Sequence, residues 1–452
     1  ANPNPNAVTD GTGATTRFDW NERGNLIAQI DPSGVRTDFT YDSHGDLMAI
    51  TNGAGDTTRL VRDEFGRVIT IIDGLGYENT LTYSSSGVVT AIQNPEGARW
   101  KFIYPTFAES DTPALVQQAQ QRYGAEHTCG FLPSAVIDPE GNTTRFTYNQ
   151  GGDVVSVTDP LGRVTRADYD NWGNLARYVN ASGGTWEYTW DGLSQLSSIT
   201  DPTGATTRYT YDLAGEISSV TDPTGVKAKR FVQRKGGLER TIAASGSSFK
   251  RLDVLGRVTT EGTQTSRGQE HVEDLVTYDA AGRPVEILDA SGGLTRIERD
   301  KAGRPLRVVS AAGRVETYEY DSAGRTAAHA VGLDTPKRIP DAEGVLREAE
   351  PTRWAVTRFE YDAASQLVRR INPDGTEEKT VYDSCGRVIR VVSGARVAAY
   401  EYDRCGRITS VQDTTYGRRT FAYDAAGQIV RVTDGLGYRT HFSYTENGQV
   451  AQ

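Results

Sequence analysis

The sequence predicts an all-β fold, a long antiparallel β-meander of about 21 hairpins wound into a curved, hollow spiral shell. Three observations predict it. The chain repeats itself every 21 residues, each period carries two turn signals of the form Asp-x-x-Gly, and the stretches between turns have strand length. A fixed period marks one supersecondary unit that buries its apolar side only against its neighbours.

The unit is clearest at residues 148–169, YNQGGDVVSVTDPLGRVTRADY. Tyr148 precedes a turn from Asn149 to Gly152, then a strand pattern from Asp153 to Thr158. A second turn runs from Asp159 to Gly162, and the strand after it ends on Tyr169. Asp or Asn in first place caps the turn, Pro in second place presets φ, and Gly in fourth place accepts a positive φ. A type I turn followed by a left-handed Gly is a favoured hairpin connection. Gly152, Gly162, Gly215, Gly225, Gly386 and Gly427 are read in that fourth place.

Anchored on the aromatic, the units start at Trp20, Tyr41, Arg62, Tyr83, Tyr104, His127, Tyr148, Tyr169, Trp190, Tyr211 and Val232. They continue through Leu252, Tyr278, Arg299, Tyr320, Pro340, Tyr361, Tyr382, Tyr402, Tyr423 and Tyr444. The step is 21 residues at 15 of 20 intervals, regular enough to override a length prior of about three domains. The expected organisation is an extended lead-in at residues 1–7 and one array over 8–452, with irregular zones at 105–130, 226–276 and 326–357. An N-terminal Ala implies a chain that is processed or cut from a longer polypeptide.

Composition narrows the function. A net charge of −10 argues against nucleic acid as the main partner, and no apolar run is long enough to span a membrane. The three cysteines, Cys129, Cys385 and Cys405, are read as free thiols. Cys385 and Cys405 hold the same place in successive units, about 9.6 Å apart at ~4.8 Å per strand, beyond the reach of a disulfide.

Three segments depart from the repeat. Thr112 to Gly124 has the cap, Pro, Ala/Leu/Gln body and terminal Gly of one short helix, a surface decoration rather than a plug. Lys227, Lys229, Arg230, Arg234, Lys235 and Arg240 form a basic cluster, read as a solvated edge. Between Thr326 and Thr357 only Gly344 keeps a turn signal.

Roughly 42 strands at ~4.8 Å give a ribbon near 200 Å long, and strand twist curls so long a ribbon. Closed in one turn, its radius would be about 30 Å, too wide for side chains to fill. The apolar positions six and nine residues after the anchor, as in Ile217/Val220 and Ile429/Val432, have opposite parity. They point to opposite faces unless a bulge intervenes, and the sequence leaves both open. The aromatic rings are expected to pack on Leu, Ile and Val of the strand between them rather than to form a sugar-binding strip. Arg17, Arg59, Arg145, Arg166 and Arg208, each three residues before an anchor, are expected to pair with Asp or Glu across strands.

Tyr211-Asp212-Leu213-Ala214-Gly215, Tyr382-Asp383-Ser384-Cys385-Gly386 and Tyr423-Asp424-Ala425-Ala426-Gly427 resemble the YD repeat of Rhs proteins, over about residues 8–448. The resemblance implies a β-cocoon enclosing a C-terminal toxin domain, in bacterial polymorphic toxins or the TcC shell of insecticidal Tc complexes; teneurin-like receptors carry related YD shells. Its implied partners are the enclosed toxin, further shell repeats, and a VgrG–PAAR secretion spike or a Tc translocation component. Its implied location is cytoplasmic before export and then secreted, by type VI secretion or a Tc-like route. The family's N-terminal delivery module, plug and autoproteolytic aspartate site are not recognisable. Asp31, Asp138, Asp159, Asp201 and Asp222, each in Asp-Pro-x-Gly, sit at regular turns, so no catalytic residue is carried over. The chain reads as a central piece of shell, or as a shell whose other parts lie outside this sequence.

Independent chemistry is sparse. His44, His127, His271, His329 and His441 lack metal or triad spacing, and there is no phosphate loop, nucleophile elbow or Cys-x-x-Cys. No enzyme, cofactor or metal is expected. Two function classes remain: a container for a toxin, and an adhesion module that binds carbohydrate or a receptor.

Overall fold

The computed structural model describes residues 4–104, 132–233, 237–243, 246–265, 269–334, 338–340, 346–348 and 350–451. The expected helix at 112–124, His127 and Cys129 lie outside them. The described residues form 40 strands of three to nine residues and no helix. Every hairpin partner is antiparallel, as two-residue-period strands joined by tight turns require.

The chain divides into two compact units. The first comprises Ala1–Tyr77, Arg230–Val381 and Val391–Ala395; the second comprises Glu78–Lys229, Tyr382–Arg390 and Arg396–Gln452. Each contains an early and a late run of hairpins.

Each long strand ends on its anchor in a register shift. Phe146 faces Val157 and Thr147 faces Ser156, but Tyr148 faces Val154, so Val155 is bulged out. The same shift falls just before Trp20, Tyr41, Arg62, Tyr83, Tyr169, Trp190, Tyr211, Tyr361, Tyr402 and Tyr423. The bulge answers the parity question. It turns the sixth and ninth residues to the same face as the ring, since both oppose residues two apart on one strand.

Two excursions leave the ladder intact. Arg99–Ile103 pairs directly with Ala135–Ile137, and Thr326–Gly332 pairs with Trp354–Tyr361. Arg338–Pro340 and Leu346–Glu348 form a separate two-stranded piece. Pro340 is therefore no anchor, although its position fits the period; Tyr361 follows Tyr320 in the ladder.

Few side chains are buried among the described residues. Buried apolar residues are mostly alanines (Ala14, Ala28, Ala91, Ala98), and Phe249 and Val315 are the largest side chains that are fully buried among the described residues. The chain exposes 27294 Å2. A compact monomer of its 49.2 kDa would expose roughly 17,000 Å2. Stability must come from ladders, turns and face packing spread along the array.

Candidate functional site: the turn seam

The turns are built alike. At Asp159–Gly162, the Asp159 carboxylate accepts the amides of Leu161 (2.9 Å) and Arg163 (2.9 Å), and the Gly162 amide donates to the Asp159 carbonyl (3.0 Å). Gly152, Gly162, Gly215, Gly225, Gly386 and Gly427 lie at φ of 86°, 82°, 82°, 85°, 77° and 85°. A Cβ is strained there, yet Ser194 (58°) and Ser365 (63°) occupy the same place.

Many turns continue with Arg after the Gly. Arg67, Arg163, Arg257, Arg283, Arg304, Arg325, Arg387 and Arg407 each reach back to the turn Asp at 2.6 or 2.7 Å. Hydrogen bonds from Arg67 and Arg257 hold Asp63 and Asp253 below the usual carboxylate range. The same guanidinium covers the next anchor ring, with Arg257 over Tyr278, Arg304 over Tyr320 and Arg387 over Tyr402 at 4.8, 4.4 and 4.7 Å.

The anchors are hydrogen-bond donors, which the packing expectation missed. The hydroxyls of Tyr104, Tyr148, Tyr169, Tyr211, Tyr320, Tyr423 and Tyr444 donate to the carbonyls of Val89, Pro133, Val154, Leu196, Pro305, Ile408 and Ile429, each 15 residues earlier. Trp20 and Trp190 do the same through Nε1, to Pro5 and Leu175. Arg62 and Arg299 donate to Leu47 and Pro284, also 15 residues back. Tyr, Trp and Arg interchange because each is long and ends in a donor. Where the connection is longer the bond spans it: Tyr278 reaches Val258 across a longer hairpin, and Tyr361 reaches Thr326 across the second excursion.

The arginine ladder is corrected. Arg17, Arg59, Arg145, Arg166 and Arg208 are exposed, and their cross-strand neighbours are Ala, Ser, Thr, Val and Ile. No carboxylate faces them. In the basic cluster Lys227 is exposed and Arg240 half-buried; the other four side chains lie outside the described set. His44 is exposed beside Asp42, whereas His329 is bound to Glu316 (3.0 Å) and stacked on Tyr318.

Turns from the two runs meet edge to edge inside each unit. In the first unit the contact is backbone on backbone. A Cβ on Gly11, Gly53 or Gly74 would fall 2.3, 2.0 or 2.0 Å from the carbonyl oxygen of Ala280, Ser322 or Ala363. Side chains fill in beside them: Arg304 donates to Ser33 (2.9 Å), and Arg325 pairs with Asp56 (3.5 Å).

In the second unit the early turns carry Pro or Ala in second place, and side chains make the join. Arg387 binds Glu96, Glu140 accepts the Arg404 amide (3.0 Å), Arg163 donates to Gln428 (2.9 Å), and the Ser182 amide donates to Asn447 (3.0 Å). These partners are 264 to 291 residues apart, so no local spacing announces them.

Among the described residues, the two free cysteines face this join. Cys385 lies with Glu96 and Asp383, and Cys405 with Glu140 and Asp403, each trio having ligand-type atoms within 4.8 Å. The trios are ion-paired already: Arg387 holds Asp383 (2.6 Å) and Glu96, and Arg407 holds Asp403 (2.6 Å). Burial pushes both thiols up, Cys405 to about 11 with help from Asp138. A neutral thiol beside carboxylates that are already hydrogen-bonded packs here as a small, weakly polar side chain. Seam turns of the late runs carry Ala281, Ala302, Ala323, Ala364 and Ala426 in the place where these two carry Cys.

Comparison with known proteins follows the same lines. The RHS Repeat family model matches residues 20–57, 41–78, 132–164, 169–205, 190–227 and 299–332, and the Teneurin YD-shell model matches 356–452. No curated protein matches the chain. The Photorhabdus luminescens Tc holotoxin pore, carrying a mutated TccC3, is similar in structure (TM-score 0.60, 14% identity, 98% of this chain and 26% of that one). TcdB2-TccC3-TEV is similar at TM-score 0.56 and 13% identity, over 98% and 24% of the two chains. TcdB2-TccC3 without its hypervariable C-terminal region gives 0.52 and 12%, over 96% and 30%. At these identities the likeness is one of fold, and the chain spans about a quarter of the length of the first two.

Proposed function

Because the chain belongs to the Rhs/YD-repeat proteins, we propose that it is a shell segment of a bacterial secreted toxin, which encloses an effector domain for delivery to another bacterium or a host. The observation that carries this reading is a long antiparallel array with few buried side chains, whose turn edges are joined in sequence within each unit. Such an array makes a wall, and its area goes into surface rather than core. A similar structure is described without a hypervariable C-terminal region, which fits a conserved wall around a variable cargo.

In this reading the role is structural, with no catalysis. The partners are the enclosed domain, further shell repeats and a delivery component of the Tc or type VI kind. No helix among the described residues is long and apolar enough to cross a membrane.

The test is protease protection. In the parent protein, a toxin or reporter domain following the repeats should resist digestion at concentrations that degrade it when free. Equal digestion rates for enclosed and free cargo would end the container reading. The Teneurin YD-shell match supports the second reading, an adhesion module. Specific binding on a glycan or receptor array, with no cargo protection, would favour it.

A further inference from the structure

We infer that the turns Asp201–Gly204 and Asp222–Gly225 are the open end of the second unit's seam, and that they take two more turns of the form Tyr-Asp-x-small-Gly from additional shell repeats. The inference rests on the shell reading and names one of its partner surfaces.

Three observations carry it. The first is order. In the second unit the early turns at Asn94, Asp138, Asp159 and Asn180 meet the late turns at Asp383, Asp403, Asp424 and Thr445, one to one and in sequence. The turns at Asp201 and Asp222 come next in the same series of second turns.

The second is chemistry. Asp201-Pro202-Thr203-Gly204 and Asp222-Pro223-Thr224-Gly225 have the Asp-Pro-x-Gly form of the seam turns at Asp138 and Asp159. Their geometry is the same, with Asp201 accepting the amides of Thr203 (2.8 Å) and Ala205 (3.0 Å).

The third is exposure. Pro139 is buried and Pro95 and Pro160 are half-buried where late turns sit beside them, but Pro202 and Pro223 are exposed. A built turn row whose apolar second residue loses its cover only at these two turns is an interface that continues. The partner needs a small third residue. Late turns that enter this seam carry Cys385, Cys405, Ala426 and Asn447 there, while early turns outside it carry Trp172 and Leu193.

The test extends the chain after Gln452 with a second copy of its residues 391–448, in step with the repeat because Gln452 is the counterpart of Arg390. Within the original sequence Cys129, Cys385 and Cys405 are changed to Ser and Thr203→Cys is introduced; in the appended copy only the counterpart of Cys405 is kept. Mild oxidation with diamide should give an intramolecular disulfide between the two thiols. The same chain with Leu213→Cys in place of Thr203→Cys, on the opposite turn edge, should not close. Equal closure from both positions, or only intermolecular linkage, overturns the inference.

Hydrogen exchange guards against a misfolded variant. Amides of 201–204 and 222–225 should exchange at least about tenfold more slowly in the extended chain, and unchanged rates in a chain with the parent's far-ultraviolet spectrum refute it. Closure without cargo protection in the parent would remove the container reading alone, whereas cargo protection with no closure would remove this inference alone.

Discussion

The two units join their turns by different physics. In the first, glycine lets one backbone press on the carbonyl of another, as at Gly53 on Ser322 and Gly74 on Ala363. In the second, the early turns carry Pro or Ala in place of that glycine and side chains make the join: Glu96, Arg387, Glu140, Arg163 and Gln428. At Gly11, Gly53 and Gly74 the first join is steric and leaves no room for a side chain, with the Arg325–Asp56 pair as the charged contact beside it. The second is a set of polar clasps that tolerates substitution and is tuned by ionic strength and pH. A repeat array can therefore seal the same edge in two ways, by omitting a side chain or by pairing one.

The sharpest way to break this comparison is Gly74→Val. A side chain placed 2.0 Å from the Ala363 oxygen must part the two turns. The expected loss is about 3 kcal/mol in urea unfolding, equal at low and high salt. A near-neutral result would show that the contact yields.

Arg387→Met tests the other unit. It strands Asp383 and Glu96, both paired with Arg387, for a loss of about 2 kcal/mol. Here the difference from the parent should shrink in about 1 M NaCl. If it is as constant with salt as Gly74→Val, the contrast between the joins is wrong.

A gain is expected from Ser194→Gly. Relieving a non-glycine φ of 58° should add roughly 1 kcal/mol, less the exposed bond from Asn174 to Ser194. Ser365→Gly should gain less, because it also gives up the Arg325 bond at the first unit's seam (2.9 Å).

The smallest effect is alkaline. The Cys405 thiol titrates at about 11 in the folded chain, against about 8.5 for a free thiol. Its raised value means the contribution is fully present below about pH 8.5 and is lost as pH rises towards 11. In a Cys129→Ser background, iodoacetamide should label Cys405 at pH 8 far more slowly than it labels the unfolded chain. Equal rates would place the thiol outside the join.

Much of this architecture was legible because it is local. Asp159, Pro160 and Gly162 state their turn within four residues, and the return of Tyr148 as Tyr169 states the period. What stayed hidden depended on distance or on degeneracy. No pattern near Glu96 points to Arg387, 291 residues away. The aromatic anchors were read as apolar because Tyr and Trp are both, and only the matching bonds of Arg62 and Arg299 expose the shared requirement for a donor. The bulge before Tyr148 is invisible in the sequence because a two-residue period cannot register an extra residue on its partner strand. Arg145 looked like half of an ion pair, but spacing along one strand does not say that Ala135 and Thr158 flank it. Pro340 satisfied the period by coincidence, and pairing alone shows the ladder passing it by.

The bond that spans 15 residues has a consequence for damage. Tyr320 donates to Pro305, and the turn at Ser310–Gly313, exposed at Ala311 and Ala312, lies between them. A protease that cuts this turn severs the covalent chain but neither the anchor bond nor the strand ladders on either side. Each new end stays pinned by its neighbours, so a nicked molecule keeps its shape and its fragments part only in denaturant. For an assembly exposed to digestive enzymes, breakage at a surface loop is then a cosmetic injury rather than a breach.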